Sequence, residues 1–186
     1  MTPENSATGE LNLNQPLLLC VGSGQRPFEK PWVNIDCQER WSPDLVCDVK
    51  TLPYEDGTVD MVCAHHVLEH LGLDDGAIAL REWRRVLKPG ASLLVFVPDM
   101  AAIAKRWLAG EFTDYQAMVN FYGAFMGSPA DRHLWGWCYR SLREMLIDAG
   151  FSKIGLFDWR TIPGADIARD DRWILGVEAS KGIQGG

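Results

Sequence analysis

The sequence predicts an open α/β sheet, mostly parallel, that ends in an antiparallel hairpin. Three observations predict it. Short continuous apolar runs recur along the chain, as in strands buried on both faces. Helical patterns alternate with those runs. The last two runs lie too close together for a long helix between them, so they pair antiparallel.

The first run is LLLCV, Leu17 to Val21, which ends in glycines; the second is WVNID, Trp32 to Asp36, which ends in an acid. LVCDV (Leu45 to Val49), VDMVCA (Val59 to Ala64) and ASLLVFV (Ala91 to Val97) follow. The clearest helix spans Asp75 to Lys88, where Ala79, Leu80, Trp83, Val86 and Leu87 form one apolar stripe. Lys88, Pro89 and Gly90 are expected to stop it. A second helix is expected from Ser141, with Glu144 at capping-box spacing and Gly150 as its terminal glycine. IGLFDW (Ile154 to Trp159) and RWILGVEA (Arg172 to Ala179) form the hairpin. Residues 99–140 break the rhythm. They read as an insertion with helical patterns near 101–109 and 114–126, placed over the C-terminal strand ends, where ligands bind in such sheets. Residues 1–14 and 181–186 read as flexible tails around a single domain at 15–180.

Composition bounds the function. Of 186 residues, 47% are hydrophobic and 23% charged, which is the globular norm and argues against disorder. ASLLVFV is far short of the roughly 20 residues of a membrane span. The start, MTPENSATGE, has no basic or apolar stretch, so no secretory signal is expected. A net charge of −7 and only short basic clusters disfavour duplex nucleic acid as a partner. The five cysteines, at 20, 37, 47, 63 and 138, contain no C-x-x-C pair. An odd, scattered set is neither a disulfide framework nor a zinc site, and it suits a reducing, cytoplasmic location.

The chemistry gathers at strand ends. Gly22 and Gly24 follow the first strand, where glycine lets a ligand approach the backbone. Asp36 ends the second strand, and an acid there accepts hydrogen bonds from a ribose diol. Only residues 22–31, with Pro27 and Pro31, join the two strands. That is too short for a full crossover helix. A dinucleotide sets its pyrophosphate on that helix N-terminus. A ligand with ribose and adenine but no phosphate does not need it, and S-adenosylmethionine is such a ligand. The missing G-x-G-x-x-G points away from nicotinamide cofactors.

The chain from Leu17 to about Ala179 resembles the class I S-adenosylmethionine-dependent methyltransferases, and in particular small bacterial members with a G-S-G loop. LLLCVGSG, VNID, CDVKTLPYEDGTVDMV, HHVLEHL, REWRRVLKPG and SLLVFVPD carry the resemblance. It implies a Rossmann-like sheet with a clipped first crossover. It implies that Gly22 and Gly24 line methionine and ribose, that Asp36 holds the ribose hydroxyls, and that Asp48 and the Val49 backbone meet adenine. Ala64 and His65 would lie near the methionine and its sulfonium. Two positions depart from the pattern: Cys20 replaces the usual acid before the loop, and Arg26 replaces its third glycine.

Methyl transfer asks for alignment and exclusion of water, with a general base when the acceptor is a hydroxyl. His65 and His66, at the mouth of the expected site, and His133, in the insertion, are the candidates. His70 reads better as a structural hydrogen-bonding residue. Asp99 is either an acceptor-side acid or a helix N-cap. Trp135 and Trp137 form either an aromatic wall for substrate or part of the core. The sequence N/D-P-P-Y of amine methylation is absent after the fourth strand, which reads AHHV. The expectation is therefore methylation of a small-molecule or saccharide acceptor, at oxygen rather than nitrogen. The alternative is a non-catalytic module of the same fold that works with a protein partner. The apolar 114–126 pattern is either a lid or the interface of a homodimer.

Overall fold

The computed structural model describes residues 15–124, 128–162 and 173–183. Seven strands form one sheet: β1 Leu18–Val21, β2 Trp32–Asp36, β3 Leu45–Val46, β4 Val59–His65, β5 Leu87–Pro98, β6 Phe151–Leu156 and β7 Ile174–Lys181. Their spatial order is β3-β2-β1-β4-β5-β7-β6. The first five run parallel. β7 pairs antiparallel with both β5 and β6, so the hairpin closes the edge as expected. Order reverses at β1, which opens a crevice at the C-terminal ends of β1 and β4.

The helices are α1 Leu73–Val86, α2 Met100–Leu108, α3 Asp114–Tyr122 and α4 Tyr139–Asp148. The α1 stripe is buried as the periodicity requires, with Ala79, Leu80, Trp83 and Val86 all at 0% exposure. With Leu142 and Leu146 of α4 it packs on the sheet face that carries Leu19, Val21, Val62, Ala64, Leu93 and Val95. Alternate strand residues point the other way: Cys20, Cys63, Leu94 and Phe96 gather with Phe28, Trp32 and Ile162. Residues 22–31 contain no helix, so this second face is sealed partly by Phe28. Buried Asn34 fixes that connector. Its Oδ1 accepts from Phe28 N at 2.7 Å and its Nδ2 donates to Phe28 O at 2.9 Å.

Several boundaries differ from expectation. The third strand stops at Val46, because Asp48 folds into a turn with Thr51 N donating to its carbonyl and Lys50 N to its carboxylate. Lys88, Pro89 and Gly90 do not separate helix from strand. α1 ends at Val86 and β5 begins at once, with an irregular register between its Leu87 and Ser92 partners. Ser141 is not an N-cap: α4 starts two residues earlier, and Ser141 Oγ accepts from Cys138 N. β6 begins three residues before Ile154. Lys181 belongs to β7, not to a tail, and its Nζ donates to Leu87 O at 2.7 Å. Of the cysteines, Cys20 and Cys63 are buried in strands, while Cys37 is exposed. The proposed tail at 1–14 lies outside the described residues. No helix among the described residues is long and apolar enough to cross a membrane.

Candidate active site

The turn after β1 is bound to the end of β2. Gly22 N and Ser23 N both donate to Ile35 O, at 2.8 and 3.1 Å. Gly22 has φ of 69°, and a Cβ there would lie 2.5 Å from Val67 Cβ. Glycine is thus demanded twice, by backbone conformation and by close approach. Gly24 N donates to Asp36 Oδ2 at 2.9 Å, and Gln38 N donates to Asp36 Oδ1 at 2.8 Å. The Asp36 carboxylate is 5% exposed, and each oxygen keeps a lone pair beyond its one backbone bond. Asp48 and Val49 form the next wall. Trp83 Nε1, deep in the core, donates to Val49 O at 2.9 Å and so anchors that wall to α1.

β4 delivers two histidines of different character. His65 packs between Phe28 and Phe96, and its buried Nε2 has no protein partner. Burial, reinforced by neighbouring His66, pushes its pKa down to about 3, so the ring is neutral. His66 adopts φ of 53° and places Nδ1 2.7 Å from Glu69 Oε1. Glu69 is fully buried. Burial alone raises a carboxyl pKa, but His66, His70 and His133 outweigh it and hold Glu69 below the usual range.

These elements enclose a cavity of about 760 Å³. It is lined by Gly22, Gly24, Asp36, Asp48, Val49, His65 and His66, which the sequence singled out. Ala64 and His133 do not line it. Ala64 is packed inside the sheet between Val21 and Val95. His133 lies against His70, with ring centroids 4.9 Å apart, and burial lowers its pKa. His70 itself reaches the cavity while its Nδ1 contacts Arg132 O at 3.0 Å. From the insertion, Ala130 and Asp131 line the cavity, but α2 and α3 do not. Trp137 is 1% exposed and belongs to the core, and Trp135 is not in the lining. Asp99 caps α2, accepting from Ala101 N and Ala102 N, and is not in the lining either.

The sequence reading missed Trp41 and Trp173, both in the wall. Trp173 stands directly before β7, with its ring 6.0 Å from that of His66. The signal available was the tryptophan of the RWILG run, where the antiparallel strand starts beside the C-terminal end of β5. Cys20, where an acid was expected, is buried beneath the loop. Burial pushes its thiol up to about 12, so it supplies no negative charge.

Comparison with known proteins agrees with this fold. Residues 29–95 match the methyltransferase domain family. An uncharacterized methyltransferase of Schizosaccharomyces pombe is 35% identical over 89 residues, covering 46% of this chain and 31% of its own. A transposon protein of Streptomyces fradiae is 34% identical over 105 residues, covering 56% and 28%. The solved structure of a SAM-dependent methyltransferase from Archaeoglobus fulgidus superposes with a TM-score of 0.61 at 14% identity, covering 90% of this chain and 87% of its own. The chain has the class I methyltransferase fold. The chain spans half or less of the length of the curated relatives it matches.

Proposed function

We propose that this methyltransferase domain binds S-adenosylmethionine and methylates a hydroxyl of a small-molecule or saccharide acceptor. The observation that carries the reading is one cavity that joins the Gly22–Gly24 turn, the buried Asp36 carboxylate and the Asp48–Val49 wall to the His66–Glu69 pair. The residues fit the cofactor. Asp36 has two lone pairs left for a ribose diol. The Asp48 to Lys50 turn offers backbone groups for an adenine edge. Ser23 Oγ is buried in the cavity wall without a protein partner, a polar atom that awaits a ligand.

The bound cofactor supplies an activated sulfonium methyl group. The protein aligns the acceptor and excludes water. Because Glu69 Oε1 is a carboxylate oxygen, His66 Nδ1 donates to it, and His66 Nε2 is left as the proton acceptor for an approaching hydroxyl. Glu69 is a positioning residue here. His65, neutral and hemmed in by aromatic rings, shapes the wall and does not serve as the base. The Trp173 indole beside His66 offers a stacking face for a sugar or other ring. The free thiols of all five cysteines accord with a cytoplasmic location.

The test is calorimetric titration with S-adenosylmethionine and S-adenosylhomocysteine, then an acceptor screen that begins with sugars. Micromolar binding of both is expected. Asp36→Ala should lower affinity at least tenfold, since a hydrogen bond to a charged group contributes about 1.5–3 kcal/mol. A change within threefold would remove Asp36 from the ribose site. A second reading, a partner-binding module without catalysis, draws on neutral Cys20, which leaves no anion for the methionine ammonium. Absence of cofactor binding by folded protein at millimolar concentration would favour it.

A further inference from the structure

Among the described residues, Glu69, His70 and His133 place one ligand-type atom each within 4.8 Å of one another. The group is built from two distant segments. Gly123, at φ of 84°, lets the chain pass so close that a Cβ there would lie 2.3 Å from Asp131 O and 3.1 Å from His133 N. His133 N donates to Tyr122 O, while Leu134 N and Trp135 N both donate to Glu69 O. The loop is thereby strapped over the Leu68–His70 turn.

The donor atoms are prepared for a cation. His70 Nδ1 lies 3.0 Å from Arg132 O, and His133 Nδ1 lies 3.0 Å from Asn120 O. A carbonyl only accepts, so each Nδ1 carries the proton and each Nε2 keeps its lone pair. Metal-bound histidines characteristically donate their other ring N–H to such a partner. Glu69 is fully buried; its Oε1 is taken by His66, and its Oε2 has no protein partner. A carboxylate oxygen left unpaired in the interior is costly, and a bound cation would satisfy it.

We propose that Glu69, His70 and His133 form a binding site for one divalent transition-metal cation of the zinc class. Two imidazoles and one carboxylate form a donor set that leaves at least one coordination position for water or substrate. Of the three, only His70 lines the cavity, which sets the ion next to the cavity wall, with Glu69 and His133 behind it. Resting on the methyltransferase reading, its further role is to take an acceptor oxygen and ease transfer of the hydroxyl proton to His66 Nε2. Metal binding itself does not depend on that reading.

The test uses the full chain after chelation and dialysis, titrated with zinc chloride and, in parallel, cobalt chloride. Expected are one tight zinc per chain and a cobalt visible spectrum without a thiolate charge-transfer band. Zinc affinity should fall at least tenfold in His133→Ala and in Glu69→Gln. Should Glu69→Gln fail to fold, His133→Ala and His70→Gln carry the comparison, with melting curves as the control. No zinc binding by the wild type, equal affinity in His133→Ala, or a cobalt spectrum dominated by thiolate would each overturn the site. S-adenosylhomocysteine is titrated on the same samples. Zinc binding without cofactor binding would keep the site and remove only its role toward an acceptor.

Discussion

His65 and His66 are adjacent, touch edge to face at 4.7 Å, and still have different work. A sequence shows two histidines after a strand; it does not show that one meets Phe28 and Phe96 while the other meets a buried glutamate 2.7 Å away. The difference has a pH signature. A histidine whose folded pKa is depressed favours folding above its unfolded value near 6.5. That stability is lost as pH falls toward the folded value of about 3. His65 should therefore contribute a loss of about 1.4 kcal/mol per pH unit below 6.5. Thermal melting between pH 6.5 and 4.5 should fall more gently in His65→Phe than in wild type; parallel curves would refute the assignment. Gly22 is the other residue whose role is read at atomic range. Gly22→Ala should cost about 1–3 kcal/mol in denaturant unfolding. The additional substitution Val67→Ala should restore only part of it, because the positive φ and the 2.5 Å approach to Cβ of residue 67 both remain. The glycines and Asp36 were legible because loop and strand-end chemistry leaves residue types behind. Trp41, Trp173 and the Glu69 cluster were not, because their partners come from segments far away in sequence.

Elements followed the apolar pattern where burial was two-sided and failed where a local polar contact took over. β1, β2 and β4 lie where the runs put them, while α1 lies two residues earlier than expected and Leu87 of its stripe belongs to β5. The third run shortened because the Asp48 side chain and carbonyl hold a turn that a strand reading of LVCDV ignores. α4 started early because Cys138 N found Ser141 Oγ, a pairing in which serine takes the N3 role. Asp99 offered two readings, and its bonds to Ala101 N and Ala102 N make it a cap. Asp99→Ala should thus destabilise the protein by about 1 kcal/mol and leave cofactor affinity within twofold, checked by chemical denaturation and calorimetry. Trp83→Phe should do both kinds of damage. It leaves Val49 O without its buried partner, at a cost of about 1–3 kcal/mol, and loosens the expected adenine wall. Unchanged cofactor affinity in a folded Trp83→Phe protein would show that Val49 holds its place without α1.

At the scale of the molecule, the apolar runs announce a mostly parallel sheet with an antiparallel hairpin but not its strand order, whose reversal at β1 places the crevice. The helix-free link from β1 to β2 leaves one sheet face to Phe28, Trp32 and Ile162, a thinner cover than α1 and α4 give the other. A ligand held by β1, β2 and β4 at once should then tighten the whole domain. At 100 times its dissociation constant, S-adenosylhomocysteine should add about 2.7 kcal/mol. That raises the melting temperature by about 5–10 °C for a chain of this size. Asp36→Ala should cut the rise by about half or more at the same ligand concentration. The cavity wall also divides by position along the chain. Most of its lining comes from segments between Gly22 and Leu71, and the rest from Ala130, Asp131, Trp173 and Ile174. Under the proposed function, recombination that exchanged only the later segments would keep the donor site and change the acceptor. Under that function, the two tasks of choosing an acceptor and supplying a methyl group would then be separable along the chain.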